Sequence, residues 1–233
     1  KILIAWEFNG WGNKFPHERD KKVPLFISGV KGLPFLKPGI VMEGGAIDAN
    51  GQGTLLTTTS CLLNNNRNPG LSKQQIEFCL RNYYCAEQII WLNKGIEGDD
   101  TDGHVDNIAR FIDEDKIITM VEPQKHDTNH LNLKENLFKL KKTRLQSGKQ
   151  PDIIEIPMPA PQYENSNRLP ASYANFYFTN NSVIVPVFHC PQDEIAVRTF
   201  ESEIKNRKII PLYAGDFICS GGSFHCLTQQ EPV

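Results

Sequence analysis

Ala46-Ile-Asp-Ala-Asn-Gly-Gln-Gly-Thr-Leu-Leu-Thr-Thr-Thr59 reads as a strand, a polar turn and a second, more apolar strand, which is the pattern of a β-hairpin. The same design returns in Asn107-Ile-Ala-Arg-Phe-Ile-Asp-Glu-Asp-Lys-Ile-Ile-Thr-Met-Val121 and in Asn175-Phe-Tyr-Phe-Thr-Asn-Asn-Ser-Val-Ile-Val-Pro-Val187. The turns fall near residues 51, 114 and 181, a recurrence of 63 and then 67 residues. That interval has room for a helix and another strand, so the chain reads as a repeated module.

The intervening stretches agree. Ser72 is placed to cap a helix through Tyr83, and Gln88-Ile-Ile-Trp-Leu92 follows as a short apolar strand. In the next copy, Leu133, Leu137, Leu140 and Leu145 recur at helical spacing within 131–145, and Ile153-Ile-Glu-Ile156 supplies the strand. The third copy has a helix over 193–204 and a strand over Lys208-Ile-Ile-Pro-Leu212. Stacking such ββαβ units around an axis predicts an α/β propeller, in which residues at the inner strand ends converge. Three modules are complete. Trp6-Glu-Phe-Asn-Gly-Trp-Gly12 with 23–30 reads as part of an earlier one, and Cys226 as the start of a further hairpin whose second strand is missing. The whole of 1–233 is expected to be one catalytic propeller domain, partial and incomplete at its N-terminus.

Composition narrows the function. The 25 basic and 27 acidic residues are interspersed, for a net charge of −2, so nothing favours nucleic acid or an anionic membrane as partner. No apolar run approaches the ~20 residues that span a bilayer, and no signal peptide is visible. A small solute is the expected partner and the cytoplasm the expected compartment; a homo-oligomer is compatible with the chain. The chain opens on Lys1-Ile-Leu-Ile-Ala5, without methionine. Cys61, Cys79, Cys85, Cys190, Cys219 and Cys226 lack the Cys-x2-Cys spacing of a zinc site and read as free thiols of a reducing compartment.

One thiol stands out. Cys226 follows Gly221-Gly222-Ser223-Phe224-His225, while Gly103-His104-Val105-Asp106 and Met42-Glu43-Gly44-Gly45 lie far upstream. A nucleophilic thiol, a distant imidazole and carboxylates are what a fold-assembled cysteine catalyst requires. Each has a structural alternative: a cysteine is often a small buried hydrophobe, a lone histidine a satisfied core residue, and Glu43 a cap or salt-bridge partner. Gly44-Gly45 suggest a tight backbone approach beside Glu43, and an extended strand would put His104 and Asp106 on one face. Asp99, Asp100 and Asp102 read as a solvated acidic loop, Asp102 being the strongest functional candidate among them. His225 would point to the opposite side of a strand from Cys226 and reads as structural. Trp6, Trp11 and Trp91 read as core packing. No metal is expected, because one cysteine and one histidine converge, and no cofactor, because no phosphate-binding glycine motif follows a strand.

Glu43-Gly-Gly, Gly53-Thr-Leu-Leu-Thr-Thr-Thr59, Asn66-Arg-Asn-Pro69, Gly98-Asp-Asp-Thr-Asp-Gly-His-Val-Asp106, Arg168-Leu-Pro-Ala-Ser-Tyr-Ala-Asn-Phe-Tyr177 and His225-Cys-Leu-Thr-Gln-Gln230 together closely resemble the agmatine deiminase family, which borders on the bacterial peptidylarginine deiminases. The resemblance runs from about Ala5 to the end. It implies the five-module pentein propeller of guanidine-modifying enzymes, whose members carry about a hundred further residues upstream, including an Arg-Asp-rich segment. It also implies a hydrolase of putrescine and polyamine metabolism that converts agmatine to N-carbamoylputrescine and ammonia without cofactor. Cys226 would attack the guanidinium carbon, Asp106 and Glu43 would hold the cation, His104 would move protons, and Glu43 would orient His104. Peptidylarginine as substrate and a non-catalytic fragment of the same fold are the competing expectations.

Overall fold

The computed structural model describes residues 1–231. β1 (Leu3–Ile4) and β2 (Phe35–Leu36) form a parallel pair, and α1 (Val23–Lys31) makes the crossover between them. This is the fragment of an earlier module read from the sequence. β2 then runs on, through a parallel bridge between Glu7 and Val41, towards Glu43.

Three complete ββαβ units follow. β3 (Ile47–Ala49) and β4 (Thr54–Thr58) are antiparallel, α2 (Lys73–Tyr84) crosses over, and β5 (Gln88–Leu92) lies parallel to β4. The second unit is β6 (Ala109–Phe111), β7 (Lys116–Val121), α3 (Asn129–Lys142) and β8 (Asp152–Pro157). A small hairpin, β9 (Tyr163–Glu164) with β10 (Asn167–Arg168), separates it from the third: β11 (Tyr177–Phe178), β12 (Ser182–Val187), α4 (Gln192–Glu203) and β13 (Lys208–Tyr213). Short polar turns can join only the antiparallel pairs; a parallel neighbour demands the helical crossover. Among the described residues no strand is shared between sheets.

The middle strand of each unit has neighbours on both edges. Every residue of β4 is buried although three of five are threonine. Their hydroxyls are used: Thr57 donates to the Ala46 carbonyl at 2.8 Å and Thr58 to that of Gly103 at 2.6 Å, tying the strand to both site-bearing loops. α2 begins with a full capping box, Ser72 Oγ accepting from Gln75 N and Gln75 Oε1 from Ser72 N, and buries Ile76 and Leu80 one turn apart. α3 buries Leu133 and Leu140 but also Asn129 and Asn136. These two amides hold the loop after β5: Asn136 accepts from Asn93 N and donates to the Lys94 carbonyl, and Asn129 accepts from Glu97 N. Their polarity hides them from a search for apolar periodicity, yet they fix the approach to His104.

Adjacent units are coupled by charge. Asp48 of β3 accepts from Arg110 Nε at 2.9 Å and Phe111 N at 2.7 Å, and Arg110 in turn donates to the Phe176 carbonyl and lies 4.4 Å above the Phe176 ring. One apolar cluster, including Ile118, Leu133, Tyr173, Phe176 and Phe200, fills the second and third units; another, including Met42, Leu55, Cys61, Ile76 and Leu80, fills the first.

Two local expectations are corrected. A single turn of 3-10 helix precedes each hairpin, at Gly44–Ala46, Val105–Asn107 and Tyr173–Asn175. His104 and Asp106 therefore straddle a turn and do not share a strand face. Cys226 likewise lies in a turn and not in a strand: residues 224–227 form it, held by the bond from Leu227 N to the Ser223 carbonyl. Ser72→Ala removes half of the capping box and is expected to lower stability by about 1 kcal/mol, read as a shifted urea midpoint at unchanged slope.

Candidate active site

The three 3-10 turns place equivalent residues at a common centre. Glu43, His104 and Ser172 are their caps, one per unit. The turns touch directly: Ser172 Oγ donates to the Asn107 carbonyl at 2.9 Å, and Asn175 Nδ2 to Asn107 Oδ1 at 3.1 Å. Gly45 sits where any side chain would collide, since a Cβ there would lie 2.6 Å from His104 Nδ1 and 2.8 Å from Asp106 Oδ2. The tight approach expected at Gly44-Gly45 is thus made at the second glycine.

Asn175 assembles the nucleophile loop. Its Oδ1 accepts from Ser223 Oγ, His225 N and Cys226 N at 3.0–3.2 Å, while its Nδ2 donates to Cys226 Sγ at 3.1 Å. Gly222 leaves room for the turn, because a Cβ there would stand 2.6 Å from that of Cys226. The residue exposes Cys226 to a cleft of about 1240 Å³ that Glu43, Gly45, His104, Asp106 and His225 also line.

Asp106 is fully buried. Its Oδ2 accepts from His225 Nδ1 at 2.8 Å and lies 3.5 Å from Cys226 Sγ, and its Oδ1 has no partner within the described residues. Burial opposes the carboxylate, but His225, His104 and Arg110 outweigh it and hold the Asp106 pKa below its ordinary value. Cys226 is affected the other way. Dehydration within the crowded pocket and the neighbouring Asp106 charge push its thiol well above the usual range, and the Asn175 amide only partly offsets them. Both effects favour the neutral thiol over the thiolate.

On the far side of His104, Glu43 is locked by Arg67, whose Nε donates to Oε1 at 2.6 Å; the Arg67 side chain is wholly buried. Glu43 Oε2 stands 3.7 Å from His104 Nε2 and 3.8 Å from Cys61 Sγ. Burial disfavours both charges, yet Cys61, Glu43 and Asp106 raise the His104 pKa well above the imidazole value, while His104 and Arg67 lower that of Glu43.

The structure brings all four candidates, Cys226, His104, Glu43 and Asp106, to one place. It corrects others. His225 lies in the site against Asp106, because the segment is a turn and not a strand. Asp99 and Asp102 are not a solvated loop: Asp99 accepts from His104 N at 3.0 Å, and Asp102 is held by Lys14, Asn66 and Arg67. Asp100 is exposed and lines the cleft. Trp6 stacks on Tyr84, and both it and Trp91 pack on the first core cluster, but Trp11 lies outside both clusters and faces the cleft between Phe8 and Phe15. A second cysteine, Cys61, converges with His104 and Glu43, so more metal-ligating groups meet here than the one cysteine and one histidine expected. Arg67, Asn175, Cys61 and His225 were missed as contributors. Arg67 and Asn175 lie within the family-like segments, so the signal was present, but only contacts reveal what they do.

If the Asp106 charge suppresses the thiolate, Asp106→Asn lowers the Cys226 pKa. Iodoacetamide should then alkylate Cys226 faster at neutral pH than in the unaltered protein, whose labelling should rise only at alkaline pH; mass spectrometry of the C-terminal peptide measures both.

The chain has known relatives. The chain is 33% identical to the agmatine deiminase of Pseudomonas aeruginosa strain LESB58, over 99% of this chain and 69% of that protein. It superposes on a cysteine-to-serine variant of C. jejuni agmatine deiminase with substrate bound at a TM-score of 0.90 and 40% identity, over 96% of this chain and 66% of that one. For the agmatine deiminase of Enterococcus faecalis the TM-score is 0.95 at 30% identity, over 98% and 69%. This chain spans about two thirds of the length of these relatives. With residues 1–232 matching their profile, the chain belongs to the family of Porphyromonas-type peptidyl-arginine deiminases.

Proposed function

We propose that the protein is a hydrolytic deiminase that converts agmatine to N-carbamoylputrescine and ammonia through a covalent intermediate on Cys226. The observation that carries this reading is the placement of Cys226 Sγ 3.5 Å from the buried Asp106 carboxylate, with His104 Nδ1 and Asp106 both close against Gly45. The agmatine deiminase names of the relatives, one with substrate bound, supply the substrate.

A guanidinium entering the cleft pairs with Asp106 and cancels the charge that keeps Cys226 protonated. The substrate thereby lowers the barrier to its own attack. The Cys226 proton leaves to solvent, the thiolate adds to the guanidinium carbon, and the C–N bond breaks as His104, held in its acid form, gives its proton to the departing nitrogen, which leaves as ammonia. Neutral His104 then takes a proton from water, whose oxygen attacks the amidino-thioether; the C–S bond breaks, leaving a ureido product and the free thiol. Glu43 is enclosed and bound by Arg67, so its part is to orient His104 and stabilise its charge, while Asp106 grips the substrate. His225 holds Asp106 from the other side.

The repeated units and the family resemblance support a pentein-type propeller, with the remaining sector of the ring supplied outside these residues. The same chemistry would serve a peptidylarginine, and a non-catalytic fragment would release no ammonia. Ammonia release from agmatine, arginine and a peptidylarginine separates the three: only agmatine should be turned over efficiently, and release from the peptide alone would overturn the substrate assignment.

Two sets of variants test the roles. Cys226→Ser is expected to cut turnover on the order of 10⁴-fold with an unchanged unfolding midpoint, because a serine hydroxyl is not ionised at this site. Asp106→Asn should raise KM and lower kcat together, whereas Glu43→Gln should chiefly lower kcat; steady-state kinetics on agmatine distinguishes the patterns.

A further inference from the structure

The wall of the cleft behind His104 holds a second cluster. Glu43 Oε2 is 3.7 Å from His104 Nε2 and 3.8 Å from Cys61 Sγ, and the three atoms lie within 4.8 Å of one another. All three residues are buried, and His104 Nε2 has no hydrogen-bond partner within the described residues. A buried nitrogen left without a partner is costly and marks a site for a further ligand. The donor set is one thiolate, one imidazole and one carboxylate, all ligands that zinc accepts. Bonds of about 2.0–2.3 Å in a tetrahedral arrangement separate such ligand atoms by roughly 3.3–3.6 Å, so the two separations from Glu43 Oε2 need to contract by only a few tenths of an ångström and that between His104 and Cys61 by about 1.3 Å at most. Arg67 occupies Oε1 of Glu43 and leaves Oε2 available.

We propose that Glu43, Cys61 and His104 form a zinc-binding site that switches off proton transfer. Binding exchanges two protons, one from the Cys61 thiol and one from the His104 imidazolium, for one dication. The charge of the buried cluster is unchanged and no electron moves. With Nε2 bound to the ion, His104 is no longer an imidazolium and Glu43 no longer orients it. The loss of activity rests on the catalytic role proposed for His104; the binding does not, and spectroscopy tests it separately.

Cobalt(II), a spectroscopic substitute for zinc, is titrated into the unaltered protein, Cys226→Ser and Cys61→Ser. A thiolate-to-cobalt charge-transfer band at one ion per chain, bleached by zinc, is expected in the first two and should be lost in Cys61→Ser. A band lost in Cys226→Ser and kept in Cys61→Ser would put the ion on the cleft thiol and overturn the proposal, as would no band in the unaltered protein. Should Cys61→Ser fail to fold, zinc-edge X-ray absorption of Cys226→Ser, after iodoacetamide has blocked its accessible thiols, decides the question: one sulfur neighbour supports the site, and none refutes it.

Discussion

A wholly buried guanidinium holds the candidate site in register. Arg67 donates to Glu43 ahead of the first sheet and to Asp102 and the Thr101 carbonyl ahead of the second. Its fork geometry lets one side chain bond three groups at once, which an ammonium could not do with the same directionality. Burying these charges is costly in itself, and the arrangement persists because each has a partner; stripping one partner from such a pair typically costs about 3–5 kcal/mol. The distance between Glu43 and His104 thus depends on a residue that faces neither the cleft nor the thiol.

The electrostatics on the two sides of His104 have opposite purposes. Towards Arg67, positive and negative groups compensate one another and the imidazolium is favoured. Towards the cleft, Asp106 faces a thiol that it keeps protonated. Such a thiol is chemically quiet, and a positive charge placed beside Asp106 would relieve its suppression. Asn175 allows this by holding the thiol close to the carboxylate through hydrogen bonds while contributing no charge of its own.

Much of this was legible in the sequence. Recurrence of strand, polar turn and strand gave the units and their helices, because a turn and an apolar strand leave local patterns. The four principal residues stood out because thiol, imidazole and carboxylates beside small residues are uncommon company. What could not be read was tertiary. Asn129 and Asn136 look like surface residues until the loop they hold is seen. His225 was set aside because a strand alternates its side chains; a turn does not, and nothing around Phe224 distinguishes the two. The link between Cys61 and His104 spans separate units and carries no local signal.

The shared 3-10 turn ahead of each hairpin has an evolutionary meaning. Each unit presents one capping position to the centre, filled by glutamate, histidine or serine. Copies of a single ancestral module could therefore diverge in chemistry by changing that position alone, while their sheets and crossovers stayed the same. In the third unit the serine is committed to holding its neighbour's backbone. The three units thus share one scaffold while their caps differ in chemistry, and the third cap serves architecture.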